Sequence, residues 1–290
     1  MHIPVMCEEV VKYIGKNGGK IFVDATLGCG GHTEKILQHY DTSFVIGFDW
    51  DIYAIKYCEK KLQQYISANR LKIINESYVN IPDVLKTLKI PTVDGILFDL
   101  GMSTLQLKSS RGFSFEDENL DMRMSENFQF QTAKEIVNTY SPKELLEIFY
   151  NYGEERYAKI VVKSICEYRK NKSIDTAKEL SEIIKKSLWR YYKNSRIHPA
   201  TKIFQAIRIF INNELNNIDQ GVKNALKVLS SKGVCIVISY HSLEDRIIKN
   251  IFKTSSGYTV LTKKPLTPTK EEIYSNPSSR SAKVRAIERL

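Results

Sequence analysis

An alternation of apolar runs and helical spacing over residues 20–99 limits what this chain can fold into more than any other feature. Lys20-Ile-Phe-Val-Asp-Ala-Thr26, Ser43-Phe-Val-Ile-Gly-Phe-Asp49, Leu71-Lys-Ile-Ile-Asn75 and Val93-Asp-Gly-Ile-Leu-Phe-Asp99 are short apolar runs of strand length. Between them, Gly31 to Tyr40, Asp51 to Ala68 and Ile81 to Leu88 carry apolar residues at helical spacing. A strand that is apolar on both faces must be covered on both. The alternation therefore predicts an α/β fold: a mostly parallel, Rossmann-like sheet with helices on both faces.

After Gly101 the alternation stops. Residues 105–198 contain no strand pattern, but Ala133–Val137, Pro142–Tyr150, Glu155–Arg169 and Thr176–Trp189 have helical spacing. Ser141-Pro-Lys-Glu supplies a helix start with Pro in the first turn. These residues read as an inserted all-helical domain, 105–198, between two parts of a sheet domain, 1–104 and 199–290. In the second part Ala200–Leu215 is helical, Gly233–Tyr240 resumes the sheet, Leu243–Phe252 is helical, and Ala282–Ile287 is a last strand.

The basic excess belongs to the later half of the chain. Residues 1–150 hold 16 basic and 20 acidic side chains, whereas residues 151–200 hold 12 and 6, and residues 251–290 hold 8 and 3. A surface of this kind suits a polyanion such as nucleic acid, and a solvated basic face accounts for it equally well. The five cysteines are scattered with no C-x-x-C spacing and no zinc-like pattern with the histidines, so reduced thiols and no structural metal are expected. No apolar run is long enough to span a membrane, and Met1-His-Ile-Pro-Val-Met6 does not read as a leader, so a cytoplasmic address is expected.

The chemistry-bearing residues follow the strands. Gly28-Cys-Gly30-Gly31-His32-Thr33 approximates the dinucleotide turn G-x-G-x-x-G, but Thr33 occupies the third glycine position. S-adenosyl-L-methionine has no pyrophosphate to cradle and needs bare backbone beside it, which Gly28, Gly30 and Gly31 supply. Asp49, after the second strand, suits ribose hydroxyls, and Asp24 suits the donor's ammonium. Asp99 ends the fourth strand, where open α/β sheets face their ligands. Asp24 and Asp99 also read as helix caps. His241 in Ser239-Tyr-His-Ser-Leu-Glu-Asp-Arg246 has two readings, proton transfer at the acceptor or a turn-fixing structural histidine. Basic residues with interleaved aromatics over 156–196 and 276–285 suit single-stranded RNA, although most of these aromatics read as helix packing. Arg196 and Arg285 are the best placed for phosphate.

Taken in order, Asp24-Ala-Thr-Leu-Gly-Cys-Gly-Gly-His32, Phe98-Asp-Leu-Gly101, Arg111-Gly-Phe-Ser-Phe115, Leu120-Asp-Met-Arg-Met124, His198-Pro-Ala-Thr201, Phe204-Gln-Ala-Ile-Arg208, Ser239–Arg246 and Arg280-Ser-Ala-Lys283 run along the whole chain. The set resembles the bacterial small-subunit (16S) rRNA cytosine-N4 methyltransferases, the MraW family. The resemblance implies a class I methyltransferase sheet, S-adenosyl-L-methionine as cofactor, and methylation of a 16S rRNA cytidine at the decoding centre near the ribosomal P site. It implies cofactor contacts at Gly30, Gly31, His32, Asp49, Tyr78, Asp99 and Gln106, with Tyr78 where the family commonly has Phe. Asp99, Ser103 and His241 are then the candidates for work on the acceptor amine. Arg111, Arg246 and Arg280 join Arg196 and Arg285 as candidate RNA contacts. The expected partner is the small ribosomal subunit, and a homodimer is compatible with the sequence. A non-catalytic rRNA-binding assembly factor and a nicotinamide-dependent oxidoreductase are the competing classes.

Overall fold

The computed structural model describes residues 3–125, 131–195 and 197–290. Its first part runs α1 (Cys7–Ile14), β1 (Ile21–Asp24), α2 (Gly31–His39), β2 (Phe44–Asp49), α3 (Ile52–Lys61), α4 (Gln63–Ser67), β3 (Leu71–Asn75), α5 (Ile81–Thr87) and β4 (Val93–Asp99). Then come α6 (Thr104–Leu107), α7 (Ala133–Thr139), α8 (Pro142–Asn151), α9 (Ala158–Arg169), α10 (Ala177–Tyr192) and α11 (Thr201–Ile211). The chain closes with α12 (Glu214–Lys227), β5 (Leu229–Ser239), α13 (Ser242–Thr254), β6 (Tyr258–Val260), α14 (Lys270–Ser275) and β7 (Lys283–Arg289).

The strands form one sheet in the order β3-β2-β1-β4-β5-β7-β6. Pairing is parallel from β3 to β5, and β7 runs antiparallel to both β5 and β6. The order reverses between β1 and β4. In open α/β sheets the ligand crevice lies at such a reversal, outside the carboxyl ends of the strands. Neighbouring residues serve opposite faces, as the strand period requires. Val23, Ile46, Ile96 and Phe98 pack in one core layer with Ile218 and Val222 of α12. Phe22, Val45, Leu97 and Ile236 pack in the other with Val10 and Ile14 of α1. Among the described residues no helix is long and apolar enough to cross a membrane.

Two compact units result: residues 1–103 with 215–290, and residues 104–214. The division differs from the one expected from sequence at its second boundary. Helix α11, expected with the sheet, belongs to the helical unit. Gly153 explains the packing, because a Cβ there would lie 2.7 Å from the Lys202 carbonyl oxygen and 3.2 Å from Ala206 Cβ. The bare backbone lets α11 lie close to the end of α8, and Gln205 donates to the Tyr152 carbonyl at 3.3 Å.

The expected helix over 51–68 breaks at Leu62, whose φ of −105° and ψ of 18° end α3. Helices α1, α6, α12 and α14 and strand β6 are additions to the sequence reading. In α12 the apolar positions Ile218, Val222, Ala225 and Leu226 do have helical spacing, but Gly221 and a run of Asn disguise it.

Helix α1 crosses the sheet where Gly95 stands. A Cβ on Gly95 would lie 2.5 Å from Ile14 Cγ1 and 2.6 Å from the Ile14 carbonyl oxygen. Backbone cannot yield as a side chain can. Gly95→Ala should therefore destabilise the protein by about 1–3 kcal/mol through overpacking, read as a lower midpoint of urea unfolding.

Candidate active site

The crevice is built from the ends of β1, β2 and β4 with the turn into α2. Asp24, 1% exposed, closes β1. One of its oxygens accepts from the Thr26 amide at 3.2 Å and the other from the Thr33 hydroxyl at 2.7 Å. Burial pushes its carboxyl above the usual range, against those hydrogen bonds. The departure from the dinucleotide pattern thus has a structural job, since Thr33 ties α2 to β1. With both oxygens engaged and the residue buried, this favours a structural role for Asp24 over direct contact with a ligand's ammonium.

Gly28 and Gly30 have φ of 53° and 68°, in the region glycine adopts without strain. At Gly30 space is also short, because a Cβ would lie 2.8 Å from Leu62 Cδ1 and 3.1 Å from Cys58 Sγ. At Gly28 the nearest side chain is Ser103, with 3.7 Å between the added Cβ and Ser103 Cβ. A side chain at Gly28 would fill the gap between the turn and the segment after β4. Gly31 packs against Pro4, at 3.3 Å from an added Cβ.

Asp49 ends β2, half-buried. Its carboxylate accepts from the Gly28 amide at 2.8 Å and from the Asp51 amide at 2.9 Å. Each oxygen retains a lone pair. Burial raises the acid to about 7 despite the two amides. Asn75 donates to the Asp49 carbonyl at 3.0 Å, joining the ends of β2 and β3. Tyr78 follows β3 in a single turn of 3-10 helix, with its ring edge-on to Phe98 at 5.4 Å between centroids. An added Cβ on Gly221 would lie 2.4 Å from the Tyr78 ring. That glycine is a site-supporting residue the sequence reading missed.

Asp99 ties three other segments to the end of β4. Its amide donates to Thr26 Oγ1 at 2.6 Å, and its Oδ1 accepts from the Tyr240 hydroxyl at 2.7 Å. Its Oδ2 lies 3.4 Å from Nε2 of the buried His32. Burial opposes a charge on His32, but Asp99, with help from Cys7, outweighs it and lifts the imidazole to about 10. Burial likewise opposes a charge on Asp99, and His32 and Tyr240 outweigh it, leaving the carboxyl below its usual range. The pair is an imidazolium and a carboxylate at neutral pH. Neither nitrogen of His32 makes an aligned hydrogen bond within the protein. Burial and the Asp99 charge push the Tyr240 hydroxyl far up, so it stays a donor. Its ring needs Gly101, where a Cβ would come within 2.7 Å. Tyr240 was not among the residues singled out from sequence, although it directly precedes His241 at the end of β5.

The other expected residues divide. His241 is the N-cap of α13: its imidazole accepts from the Glu244 amide at 3.4 Å, and Glu244 accepts from the Tyr240 amide at 2.8 Å. This favours the structural reading of His241 over the catalytic one. Arg285, 7% exposed on β7, makes a two-point pair with Asp245 at 2.7 and 3.2 Å, so it braces α13 against the sheet instead of meeting phosphate. Arg111 is likewise engaged within the helical unit, donating to Ser109 Oγ at 2.9 Å and to the Met124 carbonyl at 3.2 Å. Its part is to hold a loop. Arg246 and Arg280 are exposed on the sheet unit, and Arg196 lies outside the described residues. Ser103 is half-buried across from Gly28. Gln106 is buried in α6 of the helical unit, and its assignment to the cofactor rests on the resemblance.

Comparison with known proteins covers the chain from end to end. A family model described as the MraW methylase family matches residues 1–290. A protein of Sulfurihydrogenibium sp. (strain YO3AOP1) called ribosomal RNA small subunit methyltransferase H is 45% identical, with 100% of this chain and 99% of that protein aligned. Proteins of the same name from Thermosipho melanesiensis and Thermotoga neapolitana are 46% and 44% identical, covering 100% and 99% of this chain and 98% and 95% of theirs.

Two outcomes follow from the geometry. Asp245→Ala leaves the Arg285 guanidinium buried without its carboxylate and should lower stability by about 2–3 kcal/mol, less than a fully buried pair because Asp245 is partly exposed. Urea unfolding measures it. For Asp49 the folded acid lies above its unfolded value of 3.8. Its stabilising contribution is therefore complete below about pH 4 and lost as pH rises through about 7. Carboxyl NMR of the ligand-free protein should show one resonance titrating near neutrality that disappears in Asp49→Asn.

Proposed function

The chain belongs to the MraW methylase family, and from that premise we propose that it transfers the methyl group of S-adenosyl-L-methionine to the N4 amine of a cytidine in small-subunit (16S) ribosomal RNA, at the decoding centre near the P site. The observation that carries the reading is the grouping of Asp99, His32 and Tyr240 at the end of β4, beside Asp49 and the glycine turn. The full-length relatives named as small-subunit rRNA methyltransferases support the choice of acceptor.

The residues suit this cofactor. The buried His32 cation, whose nitrogens lack aligned partners, suits the donor's carboxylate. The spare lone pairs of Asp49 suit the ribose hydroxyls, and Tyr78 offers a ring for the adenine. The missing side chain of Gly28, whose Cβ would touch Ser103 Cβ at 3.7 Å, keeps the space between the turn and Ser103 unfilled. When bound, S-adenosyl-L-methionine supplies an electrophilic methyl group on a sulfonium.

The acceptor sets the remaining demands. The lone pair of the cytosine amine is delocalised into the ring, so the nitrogen must be held in line with the methyl carbon. As the N–CH3 bond forms and the S–CH3 bond breaks, positive charge develops on N4. Asp99 can accept a hydrogen bond from the amine and stabilise that charge. Its lowered pKa makes it a weak base and a poor place to leave the proton, which passes to solvent. Ser103 and the adjacent backbone carbonyls are the other acceptors near N4. The base must be unstacked to reach the crevice. Exposed cations of the helical unit and of the C-terminal part, Arg246 and Arg280 among them, hold the surrounding RNA with salt-dependent affinity.

Purified protein should move tritiated methyl from S-adenosyl-L-methionine into small-subunit rRNA from a strain lacking the gene, with N4-methylcytidine as the product by mass spectrometry. Cofactor-bound protein that transfers nothing would overturn the proposal. Asp99→Asn should cost about 10²–10³-fold in kcat, by loss of a charge-stabilising acceptor. Asp49→Asn should weaken cofactor binding by about 1–3 kcal/mol. Ionised Asp49 is the better acceptor, so wild-type affinity should rise between pH 6 and pH 8, and the Asn variant should show no such rise in calorimetry.

A further inference from the structure

We propose that the outward face of α10 is a docking platform for unpaired nucleotides of the RNA substrate. Trp189 is the surface on which a base stacks, and Lys185, Lys186, Arg190 and Lys193 meet the flanking phosphates. The inference rests on the reading that RNA is the acceptor.

Helix α10 buries Ala177, Leu180, Ile183, Ile184 and Leu188. Trp189 is turned away from that stripe and is 57% exposed. At 3.6 residues per turn, Lys185, Lys186, Trp189 and Lys193 fall within an arc of about 100°. The structure separates this tryptophan from the nearby aromatics. The rings of Tyr157 and Tyr191 pack at 4.1 Å, Arg156 covers Tyr157 at 4.6 Å, and Tyr192 donates to Glu155 at 2.6 Å. Those rings are engaged with one another or with neighbouring side chains, although Tyr191 is also half exposed, and Trp189 makes no ring contact with them among the described residues.

The cations around it are equally distinct. Glu182 engages Lys185 at 3.1 Å. Lys186, Arg190 and Lys193 have no carboxylate partner among the described residues, and Lys186 and Arg190 are four residues apart on one helix, where like charges repel. The helix dipole favours cations in the last turn, which accounts for Arg190 and Lys193 but not for Lys185 and Lys186 further in. A large apolar ring left in water with four basic side chains about it, only Lys185 of them paired among the described residues, matches the chemistry of single-stranded nucleic acid, which offers a π face and a phosphate at every nucleotide. The excess of basic over acidic residues in 151–200, 12 against 6, has the same sense.

Equilibrium binding tests it with the full chain and two probes, naked small-subunit rRNA and assembled small subunits, both from a strain lacking the gene. Trp189→Ala should weaken binding to naked rRNA about ten-fold, with Trp189→Phe retaining most of the affinity. The same variant should raise KM for rRNA while kcat at saturation holds. Replacing Lys186, Arg190 and Lys193 together by Gln should reduce the slope of log affinity against log salt by about 2. Unchanged helical circular dichroism and an unchanged urea midpoint report that the helical unit of each variant is folded, and affinity for S-adenosyl-L-methionine reports the same of the sheet unit. Wild-type rRNA affinity in Trp189→Ala would overturn the platform and leave the methyltransferase reading standing. A loss seen with assembled subunits but not with naked rRNA would also overturn it, in favour of a ribosomal protein. Trp189-dependent rRNA binding by a wild-type protein that transfers no methyl would uphold the platform and sink the methyltransferase reading.

Discussion

The crevice depends on the carboxylate of Asp99. Through its amide and its two oxygens this residue joins four separate pieces of chain: Thr26 after β1, His32 in α2, Tyr240 after β5 and its own strand β4. An ionised carboxylate taken out of water is costly unless opposite charge and hydrogen bonds compensate it. His32 supplies the charge and Tyr240 the hydrogen bond. The arrangement keeps Asp99 charged and oriented before any ligand arrives, which is what electrostatic preorganisation requires. It also divides labour between two carboxylates of one sheet. Asp99 is held ionised, while Asp49, one strand beyond β1 and with no cation against it among the described residues, sits near its titration point.

Supporting contacts are made by residues whose importance is an absence. Gly101 leaves space for the Tyr240 ring, Gly221 for Tyr78, and Gly153 for the backbone of α11. In each case two elements distant in sequence approach closely because a side chain is missing. Such positions carry no chemistry of their own, and single-sequence reasoning has no handle on them.

This limits what could be read in advance. The four buried strands and the glycine turn were legible because apolar runs ending in Asp or Asn are local patterns, and the structure has β1 to β4 where those runs are. The roles of arginines were less legible. Arg285 and Arg111 have the composition of nucleic-acid contacts, but Asp245 in one case and backbone carbonyls in the other claim their guanidinium groups. Only tertiary structure brings those partners together. His241 had two readings for a related reason, since a histidine before Ser-Leu-Glu is a helix cap as readily as a proton carrier, and its capping box with Glu244 favours the cap. Helix α12 was lost to Gly221, which local propensity penalises and packing against Tyr78 demands.

The break at Leu62 reaches further than its size suggests. By ending α3 there, the chain turns a fully buried leucine and the adjacent Cys58 toward Gly30, and the Cys58 thiol donates to the Gly28 carbonyl at 3.2 Å. The curvature of the glycine turn is thus moulded from beneath by a helix some thirty residues downstream. A change of side-chain volume at position 58 or 62 therefore reshapes that turn from outside it, as a substitution within the turn would from inside.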